Sequence, residues 1–198
     1  MGKKNLKRRA ERRRQILDAA LTCFQEKGFH RTSMSEICKK AGMSPGHLYH
    51  YFSGKVELIE AIAEEDSQIA ERNIRQMVRK GDPIISLFQE MEGAWKHGQG
   101  IHGAINAEVL AEAAHNESVS KIIRRRNNRI RGLLAETLEA AIKAGEVHPD
   151  LDPVGTASVL IALADGLSAA HDAHTGIDIK RATDATRRFL ERALRPED

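Results

Sequence analysis

The chain has 198 residues, of which 41% are hydrophobic, 30% charged and only 4% aromatic, with a net charge of +3. This balance excludes a disordered chain and suits a globular protein with a real core. No apolar run is long enough to span a membrane. The basic start lacks the apolar stretch and cleavage site of a secretory signal, so the expected location is the cytoplasm. Charge is unevenly placed: residues 1–55 hold 13 Lys and Arg against 4 Asp and Glu, while the remainder holds 18 against 24. A concentrated positive end favours a polyanionic partner through counterion release.

After a frayed start at residues 1–6, the spacing of Ile16, Ala20 and Phe24, with Leu17 and Leu21 beside them, predicts a helix over about 7–27. Gly28 ends it. The basic run from Lys7 to Arg14 reads either as a solvated face or as a contact to phosphate. Ser33-Met34-Ser35-Glu36 is a capping box that opens a second helix through about Ala41, and Gly42 stops it. Ser44 caps a third, short helix over about 45–51, with Pro45 at its first position. A long helix over about 55–80 carries Val56, Ile59, Ala63, Ile69 and Met77, with Glu60, Glu64, Glu65 and Glu71 as its solvated face. Pro83 leads a helix to about His97, and a glycine-rich loop follows. Further helices are predicted at about 104–114, 117–144, 153–173 and 179–194, giving roughly nine in all. No useful stretch alternates as a strand does, so the expected fold is all-α. The shift in charge divides it into a domain over 1–55 and a second over 56–198. Cys23 and Cys38 read as buried small hydrophobes, with a redox pair as the alternative.

Two short helices joined through Ala41-Gly42-Met43-Ser44 meet the demands of a helix-turn-helix. Gly42 lets the backbone take a tight turn that a bulkier residue resists. Ile37, Ala41 and Leu48 are spaced to bury against Leu21 and Phe24, so that the third helix can offer its first residues to a major groove. Leu48 and Phe52, four apart, point inward as core. His47, Tyr49, His50 and Tyr51 crowd onto what remains, where rings with polar tips meet base edges and phosphate oxygens. For Tyr49 a half-buried core position is the alternative.

Thr32-Ser33-Met34, Ile37, the run from Ala41 to Phe52, and then Lys55 and Leu58 resemble the TetR family of bacterial regulators over about 45 residues. Tyr-x-Tyr-Phe-x-x-Lys at this spacing is the specific part, and Cys38 stands where alanine is usual. The resemblance implies double-stranded DNA as the partner. It puts Pro45, Gly46 and His47 at base edges, Ser44 at the groove entrance, and Tyr49, Tyr51 and Lys55 on phosphates. Thr32 or Ser33 would anchor the start of the second helix, and His50 would face a base or solvent. It also implies a homodimer matched to a palindromic operator. The helix with Val154, Ala157, Leu160 and Ile161 and the one with Ala182, Ala185, Phe189 and Ala193 would pair with their symmetry mates in a four-helix bundle. Packing within one chain is the alternative.

A small-molecule effector is expected among helices four to eight. Phe88, Trp95, Asn106, Glu108 and His171 are candidates, each with a structural role as the alternative. The run from Asn106 to Ala113 resembles the sensor part of choline- and betaine-related members. An aromatic cage for a quaternary ammonium needs several rings, and only Phe88, Trp95 and Phe189 follow residue 55. His171 and His174, with Asp165 two turns earlier, fall short of the ligands a metal needs and read as a helix-end pair. No nucleophile–base set, P-loop or dinucleotide fingerprint is present, and neither metal nor cofactor is implied. The expected function is a DNA-binding transcriptional regulator, a repressor released by its effector. The alternatives are an activator of the same family, or an enzyme or small-molecule carrier on this scaffold.

Overall fold

The computed structural model describes residues 3–77, 107–172 and 175–195, and among these the chain is all-α. The helices are α1 (Lys3–Lys27), α2 (Met34–Lys40), α3 (Pro45–Tyr49), α4 (Lys55–Met77), α5 (Ala107–Ala113), α6 (Glu117–Lys143), α7 (Pro153–Asp172) and α8 (Ile179–Leu194). The helix expected over 83–97 lies outside the described residues. α1 starts at Lys3, about one turn ahead of the expected Lys7. Its first residues are Lys, Asn, Leu and Arg, and all but Asn are good helix formers, so the helix runs on beyond the last buried residue.

Two compact units share these helices. One comprises Met1–Glu65 with Ala107–Ile123, and the other Asp66–Asn106 with Arg124–Asp198. α4 and α6 therefore each begin in the first unit and continue into the second.

In the first unit Ile16, Leu17, Ala20 and Phe24 form the buried stripe of α1. Ile37, Cys38 and Ala41 from the second helix, Leu48 and Phe52 around α3, and Leu58, Ile59 and Ile62 from α4 complete this core. Burying each of the larger side chains contributes about 1.5–3 kcal/mol. Leu48 and Phe52 are core, as their spacing predicts. Both cysteines are free and buried. Burial pushes both thiols up from their ordinary range, which disfavours the thiolate on which a redox sensor depends.

The second unit is built on Ile130, Leu134, Leu138 and Ala141, one face of α6. Ile74, Val147, Leu160, Leu190 and Leu194 pack against that face. The backbone N–H of His148 donates to the carbonyl of Leu194 at 2.8 Å, tying the turn after α6 to the end of α8. No helix among the described residues is long and apolar enough to cross a membrane.

Candidate nucleic-acid interface

Several polar side chains of the first unit hold the short helix α2 in register against α1. Ser33 caps α2: its hydroxyl accepts from the Glu36 N–H, and the Glu36 carboxylate accepts from the Ser33 N–H at 2.8 Å. Lys27 adds an ion pair to the same carboxylate at 2.5 Å. These donors, Lys27 first and then Ser33, hold the Glu36 carboxyl down at about 2. Lys40 pairs with Glu26 at 2.7 Å, and Gln15 donates to the carbonyl of Ala41 at 2.8 Å. α2 is thus clamped to α1 at both ends. Gly42 makes the turn with φ +61, a left-handed conformation that costs a side chain about 1–2 kcal/mol.

What this frame leaves at the surface is α3. Ser44, Pro45, Gly46, His47, Tyr49 and His50 are all exposed, Tyr49 at 53%, while Tyr51 is half-buried. Tyr49 is therefore not the half-buried core residue of the alternative reading. Ser44 occupies the N-cap position but makes no side-chain cap bond, so its hydroxyl is not committed to the helix. A Cβ built on Gly46 meets nothing within 4 Å, so nothing in the protein itself excludes a side chain there. The rings cluster, with His47 5.5 Å from Tyr51 and His50 5.7 Å from it, centroid to centroid. One short helix thus presents donors, acceptors and ring faces together, anchored from beneath by Leu48 and Phe52.

Two residues expected at the DNA, Thr32 at the start of the second helix and Lys55 on phosphate, make bonds within the protein in this structure. Thr32 is buried, and its hydroxyl lies 2.9 Å from the carbonyl of Cys23 and 2.8 Å from that of Gly28. Only Ser33, of the pair, is exposed at the start of α2. Lys55 does open α4, but its ammonium donates to the carbonyls of Phe29 at 2.6 Å and His30 at 3.3 Å, and lies 4.4 Å from the centre of the Phe29 ring. Burial pulls the Lys55 ammonium down from its usual range, opposed by the nearby Glu112 carboxylate. It locks the turn between α1 and α2 to the head of α4. The expectation that Glu65 and Glu71 merely line a solvated face is corrected as well. Glu65 takes Arg13 at 3.0 Å and Arg14 at 2.8 Å, and Glu71 takes Arg75 at 2.8 Å and Arg129 at 2.6 Å.

Sequence reasoning missed Glu112. On α5, within the first unit, its side chain is 3% exposed. It lies 2.6 Å from Nε2 of the exposed His30 and accepts from the Asn116 amide at 2.8 Å. It also missed the buried charges of the second unit. Asp66 is fully buried and pairs with Arg126 at 2.5 Å, and Asp165 on α7 lies 3.9 Å from the same guanidinium. Burial pushes the Asp165 carboxyl up, Arg126 pulls it down, and Asp66 pushes it up again. The signal was present: Asp66 falls in the apolar stripe of Ile59, Ile62, Ala70 and Ile74, and Arg126 in that of Val119, Ile122 and Ile130. A charge at a core register must find a partner.

Of the expected effector residues, Phe88, Trp95 and Asn106 lie outside the described residues, as do the side chains of Glu108 and His171. His174 is outside them too. Among the described residues no group of three or more His, Cys, Asp or Glu is placed to hold a metal. The outer faces of the last two helices carry exposed apolar residues. Val159 is 58% exposed on α7, with Ala162 and Gly166 further along, and Phe189 is 65% exposed on α8, with Ala185 and Ala193 one turn to either side.

The chain matches two family models. One, described as bacterial regulatory proteins, tetR family, covers residues 16–62; the other, BetI-type transcriptional repressor, C-terminal, covers residues 102–195. The HTH-type transcriptional regulator UidR of Escherichia coli (strain K12) is 32% identical over 157 residues, 79% of this chain and 80% of that protein. Among solved structures, Salmonella enterica GusR has a TM-score of 0.76 at 31% identity, covering 93% of this chain and 95% of its own. A TetR-family regulator from Rhodococcus sp. has a TM-score of 0.80 at 23% identity, covering 93% and 99%, a likeness of fold.

Proposed function

The chain belongs to the TetR family of bacterial regulatory proteins, DNA-binding regulators of transcription, and from that premise we propose that it is a repressor that binds a palindromic operator as a homodimer and leaves it when a small-molecule effector binds. The observation that carries the reading is the bare face of α3. Pro45, Gly46 and His47 meet base edges, Ser44 and Ser33 stand at the groove entrance, and Tyr49 and Tyr51 grip phosphates, with His50 beside them. Repression needs only occupancy of the operator, which blocks polymerase without further contacts. The match of the second half to a BetI-type repressor region supports that sign.

The exposed apolar residues of α7 and α8 support the homodimer. An aromatic ring 65% in water, flanked by Ala185 and Ala193, is what a two-fold helix bundle buries. Two reading heads related by that symmetry require a two-fold target. Phe189→Glu should give a monomer that has lost operator affinity; a stable dimer in sedimentation would remove α8 from the interface.

The effector site is assigned to the second unit, where Asp66, Arg126 and Asp165 put a polar cluster inside an apolar core. Signal passes along α4 and α6, which belong to both units. Coupling between two ligands is reciprocal and is typically about 1–3 kcal/mol, so operator should weaken effector binding by the factor that effector weakens operator binding.

The experiment is selection of bound fragments from random duplexes. A recovered site with two-fold symmetry and steeply salt-dependent affinity is expected. Failure of the folded protein to retain any duplex in dilute buffer would overturn the reading.

A further inference from the structure

The reading above leaves the start of α1 without a role. Asn5, Arg8, Arg9 and Arg12 fall at helical positions i, i+3, i+4 and i+7, so the extension of α1 to Lys3 places them on one face. Across a cleft of about 360 Å³ from that face stand His47, His50 and Tyr51 of the α3 region. The lining thus holds three guanidiniums, two imidazoles, a phenol and an amide, and no carboxylate.

Neighbouring arginines show what the helix does when a cation is structural. Arg13 and Arg14 are drawn onto Glu65, Arg14 also onto Asp18, and Arg13 covers the Phe52 ring at 5.3 Å. Among the described residues Arg8 and Arg9 have no ion pair, and Arg12 bonds only the neutral Gln15 amide oxygen, at 2.8 Å. Glu11 is on another side of the helix, lining a separate cleft with Arg14 and Asp18. The cationic face is therefore uncompensated and adjoins the residues assigned to the groove.

We propose that this face of α1, with His50 and Tyr51 across the cleft, forms a second phosphate-binding surface, which holds the DNA backbone beside the groove that α3 enters. The proposal rests on the reading of α3 as the groove-binding helix. Guanidiniums suit the task because their planar fork meets phosphate oxygens in pairs. Residues 5 to 12 of a helix span about 10 Å, enough for a run of contacts and not a single one. Such contacts carry no sequence information; they set affinity, register and salt dependence.

The test compares the full chain with an Arg8→Gln/Arg9→Gln/Arg12→Gln variant on the duplex selected by the native protein. Circular dichroism and thermal unfolding check that the variant keeps its fold. Three lost phosphate contacts should reduce the slope of log K against log salt by about 2.7, with affinity at 0.1 M salt down roughly a hundredfold or more. The selected sequence should not change, whereas His47→Ala should change it. Neutral methylphosphonates placed singly along the operator should weaken the native protein at flanking positions where the variant is indifferent. A folded variant with the native slope overturns the proposal. So does a cleft that takes up inorganic phosphate while the slope stays native, the mark of a free-anion site. If the native protein binds no duplex at all, it is the reading of α3 that fails.

Discussion

In the first unit several ion pairs at the surface each join two elements: Lys27 to Glu36, Lys40 to Glu26, Arg13 and Arg14 to Glu65. In the second unit the principal pair, Asp66 with Arg126, is inside. The first arrangement fixes short helices cheaply in desolvation and leaves a bare recognition face. The second places charge where water is scarce, an arrangement whose desolvation cost can exceed its Coulombic gain.

The most severe test of that contrast is the buried pair. Arg126→Ala strands a fully buried carboxylate and should cost about 3–5 kcal/mol in denaturant unfolding. Replacing both partners, Asp66→Leu with Arg126→Met, should restore much of the loss, because an apolar pair owes no desolvation. A loss under about 1 kcal/mol for the single variant would mean that water reaches the pair and that the two units do not differ in this respect.

Lys55 separates frame from recognition within the first unit. Lys55→Met leaves the carbonyls of Phe29 and His30 without their cation and should cost about 1–3 kcal/mol, while the salt slope of DNA binding stays native. A slope reduced by about 1 would return Lys55 to the phosphates.

The reading head was legible because its determinants are local. The capping box of Ser33 and Glu36, Gly42 in the turn and Pro45 at the start of α3 each act within four residues. Helical spacing also separated Leu48 and Phe52 from the exposed rings. The partners of Lys55 and Thr32 were not legible, because they are carbonyls of chain segments brought near only by folding: periodicity tells which way a side chain faces, never what it meets. Asp66 and Arg126 carried a weaker signal, a charge at a core register. A helical pattern could flag each but could not pair residues 60 positions apart.

Gly46→Ala tests recognition without touching the frame. The added methyl meets nothing within 4 Å, and alanine is preferred to glycine inside a helix, so stability should hold or rise by about 0.5–1 kcal/mol. DNA affinity should nevertheless fall at least tenfold, because the methyl fills the space in which backbone approaches base edges. Unchanged affinity would place the α3 backbone away from the bases.

Acid should act on Glu36 of the first unit and Asp165 of the second with opposite sign. The Glu36 carboxyl lies at about 2 against an ordinary 4.5, so its support of α2 is complete above 4.5 and is lost as pH falls toward 2. Burial raises Asp165 above its ordinary 3.8, so the folded protein holds that proton more tightly than the unfolded chain, and acidification relieves a penalty there. Carbon-13 titration of the two carboxyls should show Glu36 with the lower midpoint and Asp165 above 3.8, with amide exchange in α2 quickening below pH 4. Glu36→Gln should abolish that acid sensitivity. An Asp165 midpoint below 3.8 would show the attraction of Arg126 to outweigh desolvation, making the second unit more like the first in its use of charge.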